Sequence, residues 1–157
     1  MILYDGQHRL FHLTNEFLSM VLSLRTDEVG ETEVLMPWFG APLKDPSLCL
    51  GLIPNREGAS FDSLRQILPY ACPTGGRGDY RPALVTVAEP SGQRCTELFY
   101  RGHRIETGKP TLPGLPATYV EDPEEADTLT LALEDPRTHL LAAVSYTLYA
   151  HRPVVTC

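Results

Sequence analysis

The segment Pro73-Thr74-Gly75-Gly76-Arg77-Gly78-Asp79-Tyr80-Arg81 groups three glycines, two guanidinium groups and one carboxylate. Guanidinium N–H groups donate and a carboxylate accepts, so a loop of this composition can hydrogen-bond the hydroxyls of a sugar. A structural reading stands beside it. The glycines would supply left-handed backbone at a tight turn, and Asp79 would pair with an arginine to hold the loop's shape. The tripeptide Arg77-Gly78-Asp79 is also the integrin-recognition sequence, but three letters recur by chance. A second constellation is Trp38-Phe39 before Gly40, an aromatic pair at the end of an expected strand. Sugar C–H faces stack on such rings, although a large aromatic gains most from burial. A third is the run Glu121-Asp122-Pro123-Glu124-Glu125-Ala126-Asp127. Glycoside hydrolysis needs two carboxyl groups flanking the scissile bond. Neighbours on one turn are poorly placed for that and lack the apolar surroundings that turn a carboxyl into an acid. The run reads as a solvated loop.

Other chemistries find no template. The histidines, His8, His12, His103, His139 and His151, have no His-x-x-x-His or other ligand spacing, so no metal is expected. Cys49, Cys72, Cys95 and Cys157 contain no Cys-x-x-Cys pair and are expected as free thiols. No Gly-x-Ser-x-Gly elbow, phosphate loop or dinucleotide fingerprint occurs, and no cofactor is expected. A net charge of -7 argues against a phosphate-seeking surface and hence against nucleic acid. No stretch approaches the ~20 apolar residues that span a bilayer, and the first residues lack a basic segment followed by an apolar run. A cytoplasmic location is the expectation.

The elements that must position these groups follow from alternation with a period of two. In Phe17 to Leu24, residues Leu18, Met20, Leu22 and Leu24 share a face opposite Ser19 and Ser23. Leucines 129, 131 and 133 oppose Thr128, Thr130 and Ala132. In Leu140 to Ala150, Val144, Tyr146 and Leu148 oppose Ser145, Thr147 and Tyr149. These are expected as one-sided antiparallel strands. Further strands are expected over Ile2 to Tyr4, Arg9 to Leu13, Thr32 to Phe39, Ala83 to Ala88 and Cys95 to His103, separated by turn formers such as Asp5-Gly6 and Pro90-Ser91-Gly92. One short helix is expected over Phe61 to Leu68, capped by Ser60 and stopped by Pro69. With 14 prolines and 12 glycines, much of the remainder is loop. The expectation is an all-β fold, one antiparallel β-sandwich domain over residues 1–157 with long Pro/Gly-rich loops.

The tract Tyr100 to Glu121 contains His103-Arg104-Ile105, Gly108-Lys109-Pro110, Gly114-Leu115-Pro116 and Thr118-Tyr119-Val120-Glu121. It resembles the amino-terminal domain of microbial α-galactosidases of glycoside hydrolase family 36. The resemblance extends to Phe11-His12-Leu13, Trp38-Phe39-Gly40, Ser60-Phe61 and Gly78-Asp79-Tyr80-Arg81. It departs at Cys72 and Gly75, which stand where tyrosines are expected, and after Arg81, where one residue fewer is present; Leu43 to Ala59 matches poorly.

The resemblance implies a large sandwich preceding a (β/α)8 barrel that carries the catalytic aspartates, so the chain is expected to be a non-catalytic amino-terminal piece of a larger enzyme. It also implies an arginine near a substrate pocket, for which Arg56 is the nearest candidate. The expected substrate-binding residues are therefore Arg56, Asp79, Arg81 and Trp38. The expected partners are the enzyme's own barrel, neighbouring subunits and an α-galactoside.

Overall fold

The computed structural model describes residues 1–54, 68–76, 81–114 and 117–157. Two four-stranded antiparallel sheets face each other. The first runs β1 (Ile2–Asp5), β2 (Leu10–Thr14), β3 (Ser19–Thr26) and β4 (Thr32–Gly40); the second runs β5 (Phe99–Thr107), β6 (Ala126–Asp135), β7 (Leu140–Tyr149) and β8 (Val155–Thr156). In both, strand order equals chain order.

Short polar side chains set the turns by accepting from backbone N–H groups just ahead of them, which lets the chain reverse without orphaned donors. Asp5 Oδ1 accepts from Gln7 N (2.8 Å) and His8 N (3.1 Å). Asn15 Oδ1 accepts from Phe17 N and Leu18 N, and Asp27 Oδ1 from Val29 N and Glu31 N. Between β6 and β7, Asp135 Oδ1 accepts from Arg137 N (2.9 Å). Burial works to raise the Asp135 pKa, but backbone donation from Arg137, Thr138 and Glu97 holds the carboxyl below its usual value.

The alternation seen in the sequence becomes the core. Phe11, Leu13, Met20, Leu22, Leu24 and Val34 of the first sheet meet Leu129, Leu131, Leu133, Val144, Tyr146 and Leu148 of the second. The all-β sandwich expected from periodicity is the fold. The edges are tied by Arg101 of β5, which donates to Glu31 Oε2 (2.6 Å) in the β3–β4 turn and to Glu134 Oε2 (2.9 Å) of β6. The Asn15 side-chain amide donates to Tyr149 O and Arg152 O, both at 2.8 Å.

Three local expectations are corrected. The strand β3 is not one-sided: Ser19, Val21 and Ser23 are as buried as Met20 and Leu22, because the chain after β4 folds back over that face. There Leu10, Val21 and Cys49 form a second cluster with Trp38, Leu43 and Leu50, and Leu35, Leu68 and Tyr70 form a third with Ile53. Cys49 and Leu50 belong to a 3₁₀ turn, Pro46–Leu52, that the sequence reading missed; Asp45 caps it by accepting from Ser47 N, with proline in the first turn. Secondly, Ala83 to Ala88 is not a strand; it makes an isolated bridge, Thr74 with Val85, beside which Leu84 N donates to Pro73 O (2.7 Å). Thirdly, the strand expected from Cys95 begins at Phe99 and runs on to Thr107. Arg137 bears on the third, because its fork occupies the stretch ahead of β5, donating to Glu89 Oε1 (2.5 Å), Gln93 Oε1 (3.2 Å) and Cys95 O (2.7 Å). The expected helix from Phe61 lies outside the described residues apart from Leu68, which is buried.

Candidate functional site

Trp38 sits at the β4 end, opposite Val21. Its indole packs on Leu10, Val21 and Cys49 and donates from Nε1 to Ala41 O (3.1 Å). A Cβ on Gly40 would stand 3.3 Å from the ring, so the glycine is the seat on which the indole lies. Its neighbour Phe39 is the exposed member of the pair. Arg81 is exposed and donates from Nη2 to Tyr70 O (2.9 Å), joining the loop to the segment that bridges to Leu35. Arg56 and Asp79 lie outside the described residues. Of the glycine loop, Gly76 has φ 87 and a Cβ there would approach Cys95 Cα to 2.8 Å, so left-handed backbone and close approach both require glycine.

Asp122, Glu125 and Asp127 of the carboxylate run have structural partners. Asp122 caps the turn Pro123–Glu125 by accepting from Glu124 N (3.0 Å), Glu125 Oε2 accepts from Glu121 N (3.4 Å), and Asp127 pairs with the Met1 ammonium (3.3 Å). The four cysteines are free. Burial pushes the Cys72 thiol up to about 11, beside the Tyr146 hydroxyl at 3.8 Å, so it is no nucleophile near neutrality.

His103 joins the sheets. Its ring centroid lies 4.7 Å from both Tyr4 and Phe11, and its Nδ1 is 2.6 Å from the Tyr100 hydroxyl. Desolvation lowers its pKa. Beyond β5, Gly108 takes φ 88, its N–H donates to Ala126 O (2.7 Å) and its carbonyl accepts from Thr128 Oγ1 (2.7 Å). Residues 109–114 and 117–120, among the described residues, belong to no helix or strand.

A cavity of ≈ 730 Å³ opens where this tract meets the end of β7, lined by Ala117, Thr118, Tyr119, Glu121, Glu125, Tyr149, Arg152 and Val154. Tyr149 hydroxyl donates to Thr118 Oγ1 (2.8 Å), and Ala150 N donates to Glu125 O (2.8 Å). A smaller hollow of ≈ 130 Å³ shares Glu125, Tyr149 and Arg152 and adds His151. Neither Trp38 nor Arg81 lines either hollow. Sequence reading placed Tyr119 in the distinctive tract but did not connect it to Tyr149 and Arg152. That meeting depends on the β6–β7 hairpin returning the chain to Glu125, which spacing alone does not reveal.

The sequence profile of the glycosyl hydrolase family 36 N-terminal domain matches residues 33–157. The chain belongs to this family. Among similar proteins, alpha-galactosidase 1 of Pediococcus pentosaceus is 37% identical, across 99% of this chain and 22% of its own length. Alpha-galactosidase Mel36A of Lactobacillus acidophilus is 34% identical with the same coverage. Among solved structures, the family 36 alpha-galactosidase AgaB of Geobacillus stearothermophilus superposes with a TM-score of 0.80 at 32% identity, covering 99% of this chain and 21% of that one. A variant of AgaA from the same organism, in complex with raffinose, gives 0.79 at 29% identity over 93% of this chain and 21% of that one. The family 36 N-terminal domain chain thus spans about a fifth of the length of these relatives.

Proposed function

We propose that the chain serves as the non-catalytic amino-terminal domain of a retaining α-galactosidase that removes terminal α-galactosyl groups from melibiose, raffinose and related saccharides. The observation that carries this reading is the agreement of nearly the whole chain with proteins named alpha-galactosidases, one of them solved with raffinose. The use of Asp122 as a cap and of Asp127 as partner to the Met1 ammonium supports a non-catalytic role, since carboxylates so occupied are not disposed about a scissile bond. The domain's work is architectural. It packs against a catalytic barrel, supports oligomer contacts and carries the Arg56 to Arg81 loops towards the rim of a galactoside pocket.

The test is hydrolysis of a chromogenic α-galactoside by this chain and, in parallel, by a longer polypeptide in which it is joined to a family 36 barrel. The expected outcome is activity in the longer polypeptide alone. Hydrolysis by the 157-residue chain that survives repurification would overturn the non-catalytic assignment. A second reading, a domain with its own saccharide affinity, is favoured by the cavity around Tyr119.

A further inference from the structure

The cavity between residues 117–125 and 149–154 has the physical makeup of a ligand site. Its ≈ 730 Å³ lies within the range of small-molecule pockets. Its floor is fixed before any ligand arrives. Tyr149 N donates to Val154 O (3.2 Å) and Ala150 N to Glu125 O (2.8 Å), while the Asn15 amide holds the carbonyls of Tyr149 and Arg152 from the other sheet. Preorganisation of this kind reduces the ordering cost of binding.

The lining indicates the ligand's class. Glu121 and Glu125 are acceptors, Arg152 is a donor, and Thr118 carries a hydroxyl that both gives and takes. Both signs of charge line one hollow, so an anion meets the carboxylates and a cation meets the guanidinium. A neutral polyol uses both. Among the described residues, neither Glu121 nor Arg152 is engaged in an ion pair. Tyr119 is 75% exposed beside this polar lining. An aromatic ring left in water beside hydrogen-bonding groups presents an apolar face to the C–H side of a pyranose and keeps its hydroxyl free. The smaller hollow adjoining at His151 extends the site beyond one sugar ring.

We infer that this cavity binds a neutral pyranoside saccharide, with Tyr119 as the stacking surface and Glu121, Glu125 and Arg152 as hydrogen-bonding partners to hydroxyls. The site lies apart from Trp38 and Arg81 and involves no covalent step. The choice of melibiose and raffinose as probes rests on the galactosidase reading; the site itself does not.

Calorimetric titration of this chain with melibiose, raffinose and maltose is the experiment, repeated on Tyr119→Ala and on Leu141→Ser, a change on the far exposed sheet face. Far-ultraviolet dichroism checks that each variant is folded. Saturable binding weakened about tenfold by Tyr119→Ala and unchanged by Leu141→Ser is the expected result. Maltose binding with the same Tyr119 dependence, without melibiose or raffinose binding, would support the site and count against galactoside specificity. Absence of saturable binding to all three, or binding indifferent to Tyr119, would overturn the proposal. Loss of hydrolysis by the longer polypeptide bears on the enzyme reading alone.

Discussion

The outer faces of the two sheets begin from the same alternation and end in opposite surroundings. On the first, Leu10, Val21 and Leu35 are fully buried beneath the chain that returns from β4. Polar residues are buried there too, each with a partner: His12 Nε2 lies 2.9 Å from Ser19 Oγ, that oxygen accepts from Leu43 N (2.9 Å), and Tyr70 hydroxyl donates to Glu33 (3.1 Å). On the second, Leu141 is 76% exposed and Ala132 and Ala143, which pair across β6 and β7, are exposed as well. Among the described residues, that face closes at the Gly108 end, over Thr128 and Thr147. The difference lies in the loops. The long stretch after β4 brings Cys49, Leu50, Ile53, Leu68 and Tyr70 to the first sheet. The polar β6–β7 turn, with Arg137, Thr138 and His139, brings nothing apolar to the second.

The largest expected effect tests the covered face. Leu10→Ala should cost about 2–5 kcal/mol, as much as Leu131→Ala in the shared core, because both leave a cavity lined by apolar side chains. Urea denaturation measures it as a lower midpoint at unchanged slope. A cost for Leu10→Ala near zero would mean the returning chain does not pack, and the contrast between the faces would fall.

A smaller effect is expected with acid. His12 is held below its ordinary pKa by burial and by the nearby amino terminus, and His103 by burial. An unfolded imidazole titrates near ~6.5, so below that pH the unfolded chain binds protons that the folded chain refuses. Stability should therefore be flat above that pH and fall as pH drops through the two folded pKa values. Thermal melts should lose part of this slope in His12→Gln and part in His103→Gln, which separates the covered face from the seam between sheets. A slope untouched by both variants would show that neither imidazole is kept neutral by the fold.

The smallest effect is expected on the open face, where Leu141→Ser should change stability by no more than about 0.5 kcal/mol. A loss of several times that would mean the side chain is buried by self-association, and sedimentation at two concentrations would reveal it.

The strands were legible where one side chain in two is apolar over several residues, as at Leu129 to Leu133, because that period is dictated by the pleat. The failure at β3 is informative. Ser19 and Ser23 marked the solvent face by composition, yet small hydroxyls tolerate burial when a backbone N–H such as that of Leu43 donates to them. At Ala83 to Ala88 the letters fit a strand, but among the described residues the stretch makes only short pairing with Pro73 and Thr74, and Arg137 meets the carbonyl and side chains of the stretch that follows. For Trp38 the sequence offered both packing and a sugar platform, and its contacts with Leu10, Val21 and Cys49 belong to the packing reading. The cavity was not, because Tyr119 and Arg152 are distant in sequence and meet only after the β6–β7 hairpin has formed.

The identity of strand order and chain order has a kinetic consequence. Every ladder in either sheet joins strands that follow one another along the chain, so each hairpin can zip from its own turn. The slow search for distant partners is confined to docking one finished sheet on the other. The long excursion between Gly40 and Phe99 delays that docking little, since each doubling of a loop adds only about 0.6 kcal/mol to its closure. During synthesis β1 to β4 can assemble before β5 emerges, and the contacts of Asn15 with Tyr149 and Arg152, 134 and 137 residues away, must be among the last to form.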